Sequence, residues 1–487
     1  MNILNQKEIT FKDLERFFFE MGCKIAKGFL QEFLEQTDKQ LAEDRNKKEL
    51  RHGGKKITTL KTLMGEVTVK RNVYRKTDEN GQVQHMYLLD QFLGFETIGL
   101  ISPNLAEKIL ELSCQKSYRQ VAQTISELTN QTISHQGVWD VIQTAGQRQK
   151  KAEYEEIKAY KNHQLNGTKE IPVLFEEADG VWLSMQGRSR KKRGNGRKEL
   201  KIGIAYEGWA PRYPSSQEYK TIGKMVYAGY HKPSEFQELR EAKVATKYNV
   251  DEIKYRILNG DGAAWIKHAH DPETGVFQLD PYHLSQSIVR NVSDKKARYH
   301  IKRWLKTGQF DRVYEKIEEL RYECGGLISE IKKLNNLETY IRNNEDGIIS
   351  YKDKKELDIP TPPQGLEYRN LGTMEKNVDL FAKRMKGAKS WSEEGASNLA
   401  RIIALKMSGD FKYKIAALVS GRLSERFAEC FEETITNTKG IIDKSIKNNI
   451  YPLQRGTIPF TGCKMTNGRR AIRNIFNIQD FNSLTYR

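Results

Sequence analysis

At 487 residues the chain is too long for one ordinary core, so two to four domains are expected. It is 30% charged and 38% apolar with no apolar run of membrane length, Asp13 and Glu15 break any signal-peptide pattern, and Cys23, Cys114, Cys324, Cys430 and Cys463 form no CxxC; a membrane protein, a disulfide framework and a cysteine zinc site are excluded, and a cytoplasmic chain is expected. The formal charge of +18, with a pI near 9.4, points to a polyanionic partner, because Lys and Arg neutralise phosphates and release counterions, or to solvated basic faces.

In chain order, residues 10–44 place Phe11, Leu14, Phe18, Met21, Ile25 and Phe29 at steps of three and four, the pattern of an amphipathic helix. Residues 1–50 therefore read as a helical arm, its stripe serving either as a dimer seam or as a face packed on its own chain. In the next element (51–97), residues 56–76 alternate apolar and polar on either side of Met64-Gly65-Glu66, which predicts a β-hairpin. Basic residues interleaved with Val67, Val69, Val73 and Tyr74 suit a phosphate backbone or a solvated face.

Within 98–165, a helix from about Tyr118, a polar break at Thr129–Thr132 and a second helix from Ser134 have the layout of a helix-turn-helix. Val121, Ile125 and Leu128 are expected to pack against Val138, Val141 and Ile142. Arg119, His135 and Gln136 are the side chains placed to meet DNA; any helical hairpin is the alternative.

From 166 to 290 the strand-like segments IPVLFEEADGVWLSM, LKIGIAYEGW and YKTIGKMVYAGY precede a helical stretch (233–247) and the strand KYRILNGDG, and VFQLD adds a further short strand. Three strands in a row, then helix and strand, begin a ribonuclease-H-like α/β layer. Between the first two lies RSRKKRGNGRK, which as a hairpin tip projects Arg190, Lys191, Lys192 and Arg193 toward DNA and otherwise is a solvated loop. Residues 291–350 are helical, and Pro360–Gly365 punctuate the chain. Helices are predicted at Met374–Lys386 and Glu393–Met407 within 366–420, and 421–487 form a basic tail.

Three carboxylates stand out. Asp179 lies amid Val173, Leu174, Phe175, Val181 and Trp182, where a charge is costly unless paired or holding a metal; alternation puts Glu177 on its face and Glu176 on the other. Asp261 sits in a Gly-flanked turn at the carboxyl end of a strand, where α/β sheets place ligand-facing groups, or else caps the following helix. Glu375 falls in the first turn of a helix behind Thr373, its expected N-cap; Glu393 and Glu394 read still more plainly as first-turn acids. His268, His270 and His283 cluster nearby, but two histidines two apart diverge on a helix and HExxH is absent, which disfavours a zinc hydrolase.

Taken in order, KTLMGEVTVKRNVY, SYRQVA, EEADGVW, NGDGAAWI, LDPYHL and GTMEKNV…RMKGAKSWSEEGASNLARI resemble the DDE transposases of bacterial insertion sequences, the ISLre type related to the Mutator-like group, across most of residues 56–410. The resemblance implies an α/β ribonuclease-H-like catalytic core with a helical insertion (291–365), preceded by the helical arm, small β element and helix-turn-helix. It implies Asp179, Asp261 and Glu375 as catalytic acids holding two Mg²⁺ (or Mn²⁺), and sets Asp280 and His283 in an accessory [C/D]xxH motif of unassigned role. The implied partners are double-stranded DNA, both terminal inverted repeats and target, and a second copy of the chain on that DNA, a homodimer or higher. A decayed or repurposed relative that binds DNA without catalysis is the competing expectation.

Overall fold

The computed structural model describes residues 10–77, 81–93, 100–191, 196–269, 273–409 and 411–419. These fall into two units, one of residues 10–102 with 129–131, the other of 103–128 with 132–419. Lys192, Arg193, His270 and the basic tail lie outside the described residues.

In the first unit, α1 (Phe11–Asp44) starts at a capping box in which Thr10 and Asp13 each bond the other's backbone N–H. It is followed by β1 (Arg51–Thr62), β2 (Gly65–Thr77), β3 (Val83–Met86) and α2 (Leu88–Leu93) in a three-stranded sheet ordered β1-β2-β3. Thr62 pairs with Gly65, so Leu63-Met64 make the turn, just ahead of the predicted Met64-Gly65-Glu66. The core is Leu34, Leu60, Val67, Val69 and Leu89 with Leu30, Phe33 and Leu41 against it. Only the second half of α1 contributes to it; Phe11, Leu14, Phe18 and Ile25 remain exposed.

The second unit opens with α3 (Pro103–Ser113), α4 (Tyr118–Leu128) and α5 (His135–Lys161). Val121 and Ile125 are buried, as are Val138, Val141 and Ile142, but Leu128 is 71% exposed because it falls on the last residue of its helix. Ser134 caps α5 by accepting from the Gly137 N–H.

Next come β4 (Val173–Ser184), α6 (Arg188–Lys191), β5 (Arg197–Tyr206), the ribbon β6 (Gly208–Pro211) and β7 (Tyr219–Ile222), β8 (Met225–Gly229), α7 (Pro233–Ala245), β9 (Tyr255–Gly260), α8 (Ala264–Lys267) and β10 (Gly275–Leu279). YKTIGKMVYAGY, predicted as one strand, thus splits at Gly223 into β7 of the ribbon and β8 of the main sheet. That sheet is mixed, ordered β10-β9-β4-β5-β8, with β4, β9 and β10 parallel and β5 and β8 antiparallel to their neighbours. Central β4 buries every residue from Val173 to Ala178, which is why its apolar residues run consecutively instead of alternating.

Beyond the sheet, α9 (Pro281–Asn291), α10 (Lys295–Lys306), α11 (Phe310–Glu323), α12 (Ile328–Arg342) and α13 (Glu345–Ile348) form a helical block with its own core, including Ile301, Val313, Ile317, Leu334, Leu337 and Ile341. The chain then returns to the sheet through α14 (Met374–Met385), α15 (Glu393–Met407) and α16 (Phe411–Val419). Among the described residues no helix is long and apolar enough to cross a membrane.

Candidate active site

Asp179 lies inside β4, not in a turn that ends it: the strand runs on to Ser184, and Gly180 pairs with Lys201 of β5. Its Oδ1 accepts from the Gly180 N–H at 2.6 Å, which fixes the rotation of the carboxylate. Asp261 follows the end of β9, the parallel neighbour of β4, and its Oδ1 accepts from the Ala263 N–H at 2.9 Å. It does not cap α8, whose N-cap is Ala263. Glu177 pairs with Asn259 across the two strands, so two residues on the same pleat brings Asp179 and Asp261 to one place.

The helical block holds the Asp261 turn from outside. Tyr340 of α12 donates its hydroxyl to the Asp261 carbonyl at 2.8 Å. Gly262 takes φ +88°, and a Cβ there would stand 2.6 Å from the buried Asn344 Oδ1. Only glycine satisfies both demands.

Burial of charge dominates the electrostatics, and neighbouring acids add to it. Burial pushes the Asp179 carboxyl up to about 6 from an ordinary 3.8. The Gly180 N–H and His283 pull it back, while Asp261 and Asp280 push it further up. His283 Nε2 lies 3.9 Å from Asp179 Oδ2. Glu199 of β5 joins this neighbourhood: burial raises its carboxyl, Lys201 lowers it, and Asp261 raises it again. Room for Glu199 comes from Gly180, where a Cβ would meet its Oε1 at 2.1 Å.

Asp280 and His283 take different duties. Asp280 is the N-cap of α9, accepting from the Tyr282 N–H at 2.7 Å with Pro281 behind it. His283, one turn on, faces Asp179. Between them Tyr282 lies near Glu375, whose carboxylate raises the phenol. The first turn of α9 therefore touches both Asp179 and Glu375. Glu375 itself is exposed on the first turn of α14. Among the described residues no three His, Cys, Asp or Glu side chains converge as a ready-made coordination group. Asp179, Asp261 and Asp280 come together electrostatically, and Glu375 is linked to them through Tyr282.

The competitors of Glu375 are engaged elsewhere: Glu393 pairs with Lys198, and Glu394 accepts from Gln147 at 3.0 Å. Thr373 occupies the N-cap position of α14 but makes no side-chain cap, because its hydroxyl donates to Glu177. Asn259, Tyr282 and Glu199 were not singled out from sequence, and Glu177 was placed on the face of Asp179 without a role. For Glu177 and Asn259 the signal was present: each precedes a candidate acid by two residues in a strand.

Of the side chains expected to meet DNA, Arg119, His135 and Gln136 are exposed, and Gln136 donates to Asp140 at 3.0 Å. RSRKKRGNGRK does join the antiparallel pair β4 and β5, but with the one-turn helix α6 in place of a bare hairpin tip, and Arg190 and Lys191 are exposed on it.

A mixed α/β unit thus gathers Asp179 from within its central strand and Asp261 and Asp280 from just past the ends of the parallel strands β9 and β10, beside a helical block. The chain belongs to the Uncharacterised protein family (UPF0236), which matches residues 4–418. It is similar to a UPF0236 protein of Caldanaerobacter subterraneus subsp. tengcongensis, 25% identical over 421 residues that cover 84% of this chain and 81% of that one. It is also similar to the UPF0236 protein in vanSb 3'region of Streptococcus gallolyticus, 24% identical over 469 residues that cover 93% and 94%.

Proposed function

We propose that this protein is a DNA transposase with a ribonuclease-H-like core, whose Asp179, Asp261 and Glu375 serve metal-dependent cleavage and strand transfer. The observation that carries the reading is the meeting of Asp179 in β4 with Asp261 just past the end of its parallel neighbour β9, beside Asp280, where burial first and these two acids after it push the Asp179 carboxyl up to about 6. A carboxyl raised in this way is what a site built for cations shows without them. Mg²⁺ keeps several waters and takes one or two protein carboxylates besides substrate phosphates, so Asp179 and Asp261 fit it, with Glu375 as the third ligand from α14. When bound, two such ions activate the attacking oxygen and stabilise the leaving one in an in-line displacement.

The chain's own residues supply orientation. The N–H groups of Gly180 and Ala263 each hold one oxygen of an acid, and Tyr282 stands near Glu375. Support for the core comes from its three successive antiparallel strands, β4, β5 and β8, with β9 and β10 added in parallel on the other side of β4. The helical block falls between β10 and α14, where an insertion before the third acid belongs. The substrate is double-stranded DNA carrying terminal inverted repeats, engaged by Arg119, His135, Gln136, Arg190 and Lys191, together with target DNA. A second copy pairs through the exposed Phe11, Leu14, Phe18 and Ile25 of α1.

The test is strand transfer of labelled terminal-repeat DNA with Mg²⁺ or Mn²⁺, comparing wild type with Asp261→Asn and Glu375→Gln. Both substitutions are expected to abolish cutting and joining while repeat binding persists. Full activity in either variant defeats the site assignment. A wild type that binds the repeats but never cuts or joins them is instead a DNA-binding descendant without catalysis.

A further inference from the structure

Glu177 is fully buried, and an unpaired charge there would be severely destabilising. It is not unpaired. Its Oε1 accepts from the Tyr206 hydroxyl at 2.6 Å, the Thr373 N–H at 3.1 Å and the Thr373 hydroxyl. Its Oε2 accepts from Asn259 Nδ2 at 3.0 Å and from the N–H groups of Gly372 and Met374, both at 3.2 Å. Three successive backbone amides at the start of α14 thus converge on a carboxylate delivered by β4. That is the role an N-cap side chain usually plays, here supplied from 197 residues away.

The placement relative to the acids is regular. Glu177 stands two residues before Asp179 on the same face of β4; Asn259, its partner across the sheet, stands two before Asp261. Asn259 Nδ2 also reaches Asp280 Oδ2 at 3.5 Å. Glu375 follows Met374, the last amide bound by Glu177, directly in the chain. One buried carboxylate therefore ties together the four elements that carry Asp179, Asp261, Asp280 and Glu375.

The approach to α14 is anchored in the same way upstream, where Glu367 pairs with Trp209 of the ribbon and the Tyr351 hydroxyl donates to the Arg369 carbonyl at 2.8 Å. A buried ion is a poor way to gain stability alone, since an apolar replacement often serves as well. What a carboxylate adds is a fixed direction and height for the helix start.

We propose that Glu177 is the positioning residue of the candidate active site: it acts through the α14 amides to hold Glu375 at the height where it joins Asp179 and Asp261 on a divalent cation. The inference rests on the metal-dependent reading of those acids. Glu177→Gln keeps the shape but turns one oxygen into a donor, and either orientation sets an NH₂ group against three existing donors.

The experiment is Mn²⁺ titration of the full chain, followed by the loss of the free Mn²⁺ electron paramagnetic resonance signal, for wild type, Glu177→Gln and Thr373→Val. Hydrogen exchange across 370–378 is followed in parallel. Glu177→Gln is expected to weaken Mn²⁺ binding about 10- to 100-fold, the range for residues that orient metal ligands, and to lose amide protection only at the start of α14. Thr373→Val removes one hydroxyl donor and leaves the carboxylate in place, so it keeps the test decisive if Glu177→Gln does not fold; a weaker loss of about 3- to 10-fold is expected from partial release of the same anchor. Unchanged Mn²⁺ affinity in the folded variants, beside a wild type that binds, overturns this inference alone. A wild type that binds no Mn²⁺ defeats the metal reading of the acids and this inference with it.

Discussion

Asp179→Asn should make the metal-free protein more stable while removing its function. The substitution keeps the shape of the side chain and an Oδ1 able to accept from the Gly180 N–H, and deletes only the charge. In the folded chain that carboxyl is pushed up to about 6, against an ordinary 3.8, first by burial and then by Asp261 and Asp280. A folded value above the unfolded one means the folded state prefers the proton. The penalty is therefore absent below the ordinary value of 3.8, grows as pH rises from there to the folded value of about 6, and is fully present above it. At 1.36 kcal/mol per pH unit, the ionised carboxylate costs about 3 kcal/mol at pH 7.5 and about half that at pH 5. That figure already contains the attraction of His283, and the buried amide keeps a desolvation cost of its own, so a net stabilisation of about 1–3 kcal/mol is expected at pH 7.5. Heat unfolding in EDTA reads this as a midpoint higher by a few degrees, shrinking at pH 5. Added Mn²⁺ should then stabilise wild type and leave the variant unmoved. A variant no more stable than wild type at pH 7.5, or a gain equal at both pH values, refutes the reading of Asp179 as a costly buried charge.

Three further outcomes are expected. Gly262→Ala, forced to φ +88° with its Cβ against Asn344 Oδ1, should lose about 1–3 kcal/mol in denaturant unfolding and lower strand transfer by tilting the Asp261 turn. Arg256→Met strips buried Glu176 of its two 3.0 Å bonds and should cost about 3–5 kcal/mol, whereas pairing it with Glu176→Met should recover much of that loss. Replacing Arg190 and Lys191 by Ala should flatten the slope of log affinity for repeat DNA against log salt by about 1–2; an unchanged slope makes that connection a spectator.

Local chemistry made much of the chain readable in advance. The helices predicted at Met374–Lys386 and Glu393–Met407 run Met374–Met385 and Glu393–Met407, because their apolar spacing and the Ser392 cap act within a turn or two. The arm read from Phe11, Leu14 and Phe18 is likewise a helix, although periodicity could not tell which half of its stripe would meet the small sheet. The division of YKTIGKMVYAGY between two sheets was equally invisible, since a strand's partner is chosen by the rest of the chain.

At the site, sequence alone determined which residues carry the charge: Asp179 in an apolar strand, Asp261 in a glycine-flanked turn, Glu375 at a helix start, and the pleat that puts Glu177 on the face of Asp179. Only the tertiary structure decided what those charges meet. Parallel pairing of β4 with β9 crowds Asp179 against Asp261 across 82 residues, and the fold brings the amides of α14 onto Glu177 from 197 residues away. Pleat and helix period are set by neighbouring residues and can be read along the chain. The field at a carboxylate and the donors that satisfy it depend on groups distant in sequence, and only long-range pairing supplies them.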